Sequence, residues 1–362
     1  MSPEKIVIGA MALFALLGAV DRILGNRFGL GEHFEEGIQA MGPLALAMLG
    51  IISLAPVLAS VLRPLVVPLF SALGADPAMF AGTILACDMG AGSLAMELTQ
   101  NREAALLGGV VTGAMLGATL VFAIPVAMGI LRQEDRPAMA KGILCGIVTI
   151  PVGVLTAGVL AGFSMGMVLR NLTPIVLIGA VIALGLWKAE GAMVRGFALF
   201  GKGVVAVITI GLAAAIVEEL VGITLIPGMA PLSEGFSVVG EIAIVLAGAF
   251  PLVAVVTKLL KKPLASLGNR LGIGEGATGL VATLANSIAM FHMVKDMNYR
   301  GKVVNIAFSV SAAFALGDHL GYTAGFAPEI LPAVIIGKLA GGIGAVAVAL
   351  WLTKKSRNEE QL

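Results

Sequence analysis

Asp88 sits inside the apolar run FAGTILACDMGAGSLAMELT, about ten residues from either end. A carboxylate in such surroundings needs a positive partner, a ligand or water, because burying it alone is costly. Asp318, His319 and Tyr322 fall together in ALGDHLGYTAG. On a helix Asp318 and Tyr322, four apart, share a face. A carboxylate beside an aromatic ring attracts an ammonium group by ion pairing and by cation–π attraction, and His319 can take or pass a proton. Asn286 and Ser287 interrupt a third apolar run, and Glu241 lies deep in a fourth. An acid and an amide facing one site suit a small solute with one positive end and one hydroxyl. Blander roles compete at each position. Asp88 can cap a half-helix that starts at Gly90, and Asp318 with His319 can be a fold-stabilising pair near the outer membrane edge. His292 reads as structural, and Glu97 stands at a segment end where exposure is the simple answer.

The elements that position these groups follow from composition. The chain has 362 residues, 58% hydrophobic and 12% charged. Soluble domains carry roughly 25% charge, so this chain lacks the polar groups to cover a water-facing surface. It reads as an all-α integral membrane protein of many spans. Continuous rather than alternating apolar runs argue against a β-barrel. The 48 glycines suit close helix approach. A net charge of +1 points to no nucleic-acid partner, and two cysteines offer neither a disulfide framework nor a metal cluster. The 17 methionines are dispersed and read as packing and cavity lining.

Eleven apolar segments are expected, at 5–20, 38–62, 78–96, 104–131, 139–163, 172–187, 196–217, 236–257, 276–294, 303–326 and 329–352. Basic residues orient them by the positive-inside rule. Lys258, Lys261, Lys262 and Arg270 in link 258–275 face the cytoplasm, as do Lys295, Arg300 and Lys302 in link 295–302 and the tail. Two consecutive links on one side make 276–294 re-entrant, broken around Asn286–Ser287. The same count back from Arg132, Arg136 and Lys141 makes 78–96 re-entrant from outside, broken at Asp88–Gly92. The expected architecture is about nine full transmembrane spans and two broken, re-entrant helical hairpins, with the N-terminus outside.

An internal repeat supports this topology. Pro56, Leu65, Pro68, Leu69 and Ser71 match Pro251, Leu260, Pro263, Leu264 and Ser266 at an offset of 195. After an insertion, Asp88, Ala91 and Arg102 match Asn286, Ala289 and Arg300 at an offset of 198. The expected division is a first membrane repeat at 1–165, a linking helix at 166–190, a second, inverted repeat at 191–353 and a cytoplasmic tail at 354–362. Inverted repeats with helices broken at mid-membrane are the architecture of secondary transporters, whose site lies between the halves.

No nucleotide-binding, dinucleotide-binding, zinc-protease or nucleophile-elbow motif is present, and no cofactor or metal is expected. The run GGIG at 341–344 lies in an apolar segment and reads as helix packing. Three stretches, LACDMGAGSLAMELT at 85–99, LANSIAMFHMVKDMN at 284–298 and FALGDHLGYTAGF at 314–326, resemble the ethanolamine-utilisation membrane protein family. The resemblance covers essentially the whole chain. It implies a multi-pass carrier for ethanolamine in the bacterial inner membrane, with transport rather than catalysis as its activity. It transfers no catalytic residue, so Asp88, Asn286, Ser287, Asp318, His319, Tyr322 and Glu241 remain readings of the residues. An ethanolamine cation moving inward gains about 2.3 kcal/mol per 100 mV, or roughly fifty-fold accumulation, so uniport suffices. Lipid is the expected surrounding partner, and a homodimer would supply the fixed scaffold that a moving part needs. The competing readings are a carrier for choline, a nucleoside or an amino acid, a membrane-embedded enzyme using Asp88 or His319, and a channel or scaffold.

Overall fold

The computed structural model describes residues 3–274 and 276–354, and the regular structure among them is entirely helical. Residues 355–362, with most of the expected cytoplasmic tail, lie outside the described residues, as do the side chains of Lys261 and Lys262. Eight of the described helices are long and apolar enough to cross a membrane: Glu4–Ile23, Leu30–Ala72, Arg102–Ile130, Gln133–Leu160, Met165–Ala189, Gly191–Val221, Leu232–Leu259 and Pro328–Leu352.

Helix α1 (Pro3–Ile23) ends at a loop organised by one carboxylate. Asp21 accepts hydrogen bonds from the backbone N–H groups of Phe28, Leu30 and Gly31 at 2.8–3.0 Å. Leu30 and Gly31 open α2 (Leu30–Gln39), so Asp21 satisfies N–H groups that a helix start otherwise leaves unpaired. Helix α3 (Met41–Ala72) follows almost without interruption, and carries Pro56, Pro64 and Pro68. The span expected at 38–62 is therefore longer than its apolar pattern.

The segment expected to break at Asp88 does so. Helix α4 (Met79–Ile84) stops at extended Leu85 and Ala86; a short 3-10 turn, Cys87–Met89, follows, and α5 (Ala91–Leu98) resumes. Gly90 makes the junction with φ 86, a left-handed conformation that costs glycine little. The next helix starts as α6 (Arg102–Ala105), winds as a wide π-helix over Leu106–Gly117 and Thr119–Ala123, and finishes as α7 (Ile124–Ile130). π-Helices are rare and usually one turn long. Here the wide winding brings Gly108, Gly113 and Gly117 to one face. A Cβ on Gly108 would meet the backbone of Ala78, one on Gly113 the backbone of Cys87, and one on Gly117 the carbonyl of Leu85. The small residues thus hold the broken segment flush against the π-wound helix.

Helix α8 (Arg136–Leu160) leads to α9 (Met165–Val221), which folds back at Ala189. The link expected at 188–195 shrinks to that single non-helical residue, at φ −146 and ψ 47. Helix α10 (Leu232–Leu271) precedes the second expected break: α11 (Gly276–Ala285), extended Asn286, then α12 (Ser287–Met293).

Segment 303–326, expected as an unbroken span, is a third broken segment. It divides into α13 (Tyr299–Ala312) and α14 (Asp318–Phe326). At the gap Phe314 takes φ 59, which is rare for a side chain of its size. The freed backbone is paired: Phe314 N–H donates to Thr283 O at 3.1 Å and Leu316 N–H to Leu284 O at 2.9 Å. A Cβ on Gly317 would strike the Ala285 carbonyl. The second and third breaks therefore cross in direct backbone contact, as non-helical backbone in a membrane must when it is buried in protein. Helix α15 (Leu331–Leu352) closes the described chain and packs against α8 and α13.

Candidate functional site

Two adjoining cavities lie at the breaks. One, of about 390 Å³, is walled by Asp88, Met89, Phe122, Phe250, Phe314, Asp318 and His319, with Ala40, Pro43 and Leu44 among its further lining. The other, of about 440 Å³, is lined by His33, Glu36, Phe250, Lys258, Ala285, Asn286 and Asp318 among others. Asp318 and Phe250 belong to both walls.

Asp88 is presented by the 3-10 turn between α4 and α5. It does not cap α5, whose N-terminus has no side-chain hydrogen bond. Its Oδ1 is buried with no hydrogen-bond partner and lies 3.7 Å from His319 Nε2. The side chain as a whole is 21% exposed and lines the first cavity, so the carboxylate lies between the imidazole and the cavity. Asn286 plays the capping role instead: its Oδ1 accepts from Ile288 N–H at 2.8 Å, leaving its NH₂ group to offer to the second cavity. Asp318 is the first residue of α14, and its carboxylate reaches both cavities.

His319 is buried and held from behind. Lys338, on α15 and 1% exposed, donates from Nζ to the Ala114 carbonyl of the π-wound helix and lies 2.9 Å from His319 Nδ1. Lys338, His319 and Asp88 therefore form a chain that ends at the cavity.

Not every expected residue joins the site. Tyr322 shares α14 with Asp318 but lines neither cavity. Its ring stacks on Phe326 at 5.2 Å, and its hydroxyl, without a hydrogen-bond partner, presses on Gly92. The phenyl rings on the wall of the first cavity are Phe122, Phe250 and Phe314. Ser287 is fully buried, with Oγ unpartnered, next to the site rather than on its wall. Glu241 is exposed on α10 and away from both cavities. Glu97 is exposed, with its carbonyl accepting from Arg63; His292 is exposed beside Arg132 and Lys295.

Lys338 escapes the sequence reading, although a single lysine amid LPAVIIGKLAGGIG is itself a signal. Cys87 Sγ, an Asp88 oxygen and a His319 nitrogen come within 4.8 Å of one another. The Lys338 ammonium against the same imidazole opposes a further cation there, so we assign no metal.

A family model described as "Ethanolamine utilisation protein, EutH" matches residues 4–352. The chain belongs to the EutH family. It is 56% identical over 366 residues to "Probable ethanolamine permease EutH" of Listeria monocytogenes, covering all of this chain and 98% of the relative. It is 45% identical over 394 residues to the protein of the same name from Salmonella typhimurium, with 98% and 97% covered. It is 52% identical over 362 residues to the uncharacterised YxeR of Bacillus subtilis, with 100% and 98% covered. No solved structure matches the chain. With eight membrane-capable helices, this member of the EutH family is a multi-pass membrane protein.

Proposed function

We propose that the chain is a secondary carrier that brings ethanolamine across the bacterial inner membrane by alternating access. The observation that carries the reading is the cavity of about 390 Å³ in which two carboxylates, Asp88 and Asp318, stand among three phenylalanine rings. The printed names of the EutH relatives support ethanolamine as the solute. Its ammonium pairs with Asp88 and Asp318 and lies against the rings. Its hydroxyl takes the amide of Asn286 as it passes to the adjoining cavity. A cation gains about 2.3 kcal/mol per 100 mV of inside-negative potential on entry, so the potential or the solute gradient drives uptake.

The matching order of helix, break and helix at Met79–Leu98 and Gly276–Met293 supports two inverted repeats whose hairpins re-enter from opposite faces. In this reading the hairpin tips bearing Asp88 and Asn286 close over the amine from the two sides in turn, with Ser287 and His319 supporting them.

The test is uptake of labelled ethanolamine into proteoliposomes. Asp88→Asn should lower uptake at least tenfold, and wild-type rate and affinity in that variant would remove Asp88 from the site. The phenylalanine rings would also receive a quaternary ammonium, so choline is the second reading. Stronger competition by choline than by unlabelled ethanolamine would exchange the two.

A further inference from the structure

We propose that Lys338, His319 and Asp88 form an internal proton relay that neutralises Asp88 whenever the solute site is empty. This rests on the reading above, in which Asp88 receives the ammonium of the solute.

Lys338 and His319 are almost fully buried, 1% and 2% exposed, and neither Lys338 nor the Ala114 carbonyl it holds lines either of the two cavities described above. Among the described residues, the His319 imidazole links Lys338 to the cavity wall. As an ammonium, Lys338 donates to Nδ1, which makes Nδ1 the acceptor and leaves the ring proton on Nε2. Nε2–H then faces Asp88 Oδ1 at 3.7 Å, and a closure of about 0.8 Å brings the pair to ordinary hydrogen-bond length. Oδ1 has no competing hydrogen-bond partner. The titratable groups around the relay are Cys87, Asp318 and Tyr322. Beside Lys338, α8 presents Gly153 and Ala157 to Gly337, while its Cys145 packs further along with Ala345.

The transfer balances within the protein. An Nζ–H bond breaks as Nδ1–H forms, and Nε2–H breaks as an O–H forms on Asp88. Ammonium and carboxylate become amine and carboxylic acid, with imidazole neutral before and after. In the empty carrier Asp88 then presents no bare charge to the membrane interior, where an uncompensated charge is expensive. When the solute ammonium arrives, the proton returns to Lys338 and Asp88 recovers its charge. The loaded relay carries one more positive charge than the empty one. Each turnover moves one charge and no bulk proton.

The test separates exchange, in which both crossings are loaded, from net uptake, in which the empty site must return. Both are measured in proteoliposomes at clamped potential between about pH 6 and 8. We expect wild-type net uptake to track exchange across that range. Lys338→Met should keep exchange within about threefold of wild type. Its net uptake should fall at least tenfold at the alkaline end and recover on acidification, when Asp88 can take its proton from cavity water. A net-to-exchange ratio equal to that of wild type at every pH would overturn the relay. A second readout needs no solute. The chain has three histidines, so replacing His33 and His292 leaves His319 as the single ¹⁵N ring signal. Without solute, Nδ1 should be protonated in the parent and lose that preference in Lys338→Met. An unprotonated Nδ1 in the solute-free parent overturns the relay. Should the parent not exchange ethanolamine at all, the substrate reading falls, and the ring signal alone decides the relay.

Discussion

Asp318 touches both cavities while Tyr322, one turn further along the same helix, touches neither. Removing one partner of a desolvated charge pair costs about 2–5 kcal/mol. Asp318→Asn should therefore raise the half-saturating ethanolamine concentration at least thirty-fold in vesicle uptake, by the lower end of that range. Tyr322→Phe should change it less than twofold, because it deletes a buried hydroxyl that bonds to nothing. Asp88, Asp318 and His319 were legible as candidates because each stands out in an apolar run, whereas His33, Glu36 and Lys258 on the second cavity's wall were not singled out for the site. The partners of His319 were not legible either. His319 meets Lys338 across nineteen residues and a helix break, and Lys338 meets Ala114 from more than two hundred residues away. No local spacing encodes either contact. Tyr322 misled for a related reason. The four-residue interval placed it on the face of Asp318, but Asp318 opens its helix and is uncovered, whereas Tyr322 is covered by Gly92 and Phe326.

The three breaks differ in how they announce themselves. Asp88-Met89-Gly90 and Asn286-Ser287 are polar or glycine-bearing interruptions, and both fell where the sequence put them. The third, across Ala313–Gly317, reads as unbroken helix until Thr283 and Leu284 supply its hydrogen-bond acceptors from another segment. Tertiary pairing overrides the local preference there, which is why eight membrane-length helices are found where nine were expected. The π-wound helix was equally invisible, since its glycines fit either winding. Its packing gives a direct test. Gly117→Ala drives a Cβ into the Leu85 carbonyl, backbone that cannot turn aside, whereas Gly129→Ala meets nothing within 4 Å. Gly117→Ala should lower the detergent melting temperature by several degrees and reduce folded yield. Gly129→Ala should leave both at wild type.

Across the whole molecule, two ion pairs tie distant parts of the chain. Arg102, which opens the π-wound helix, meets Glu329 beside α15 at 2.6 Å, with side chains 64% and 47% exposed. Lys302, early in α13, meets Asp135 just before α8, with side chains 17% and 1% exposed. Each joins the start of one helix to the turn before another, and the partners change places between the two. Exposed pairs contribute about 0–1 kcal/mol, whereas stripping one partner from a buried pair costs about 3–5 kcal/mol. Lys302→Met should therefore destabilise the protein several times more than Arg102→Met, as read by thermal melting in detergent. Equal shifts would mean that the buried pair is hydrated.

The two chambers share two lining residues, the carboxylate of Asp318 and the phenyl ring of Phe250. A molecule stepping from one chamber to the next therefore waits on side-chain rotation, which runs on a picosecond-to-nanosecond scale at mobile sites, rather than on the slower travel of a helix. It also keeps hold of the same anion throughout the step. The slow events of a cycle built this way belong at the two outer mouths.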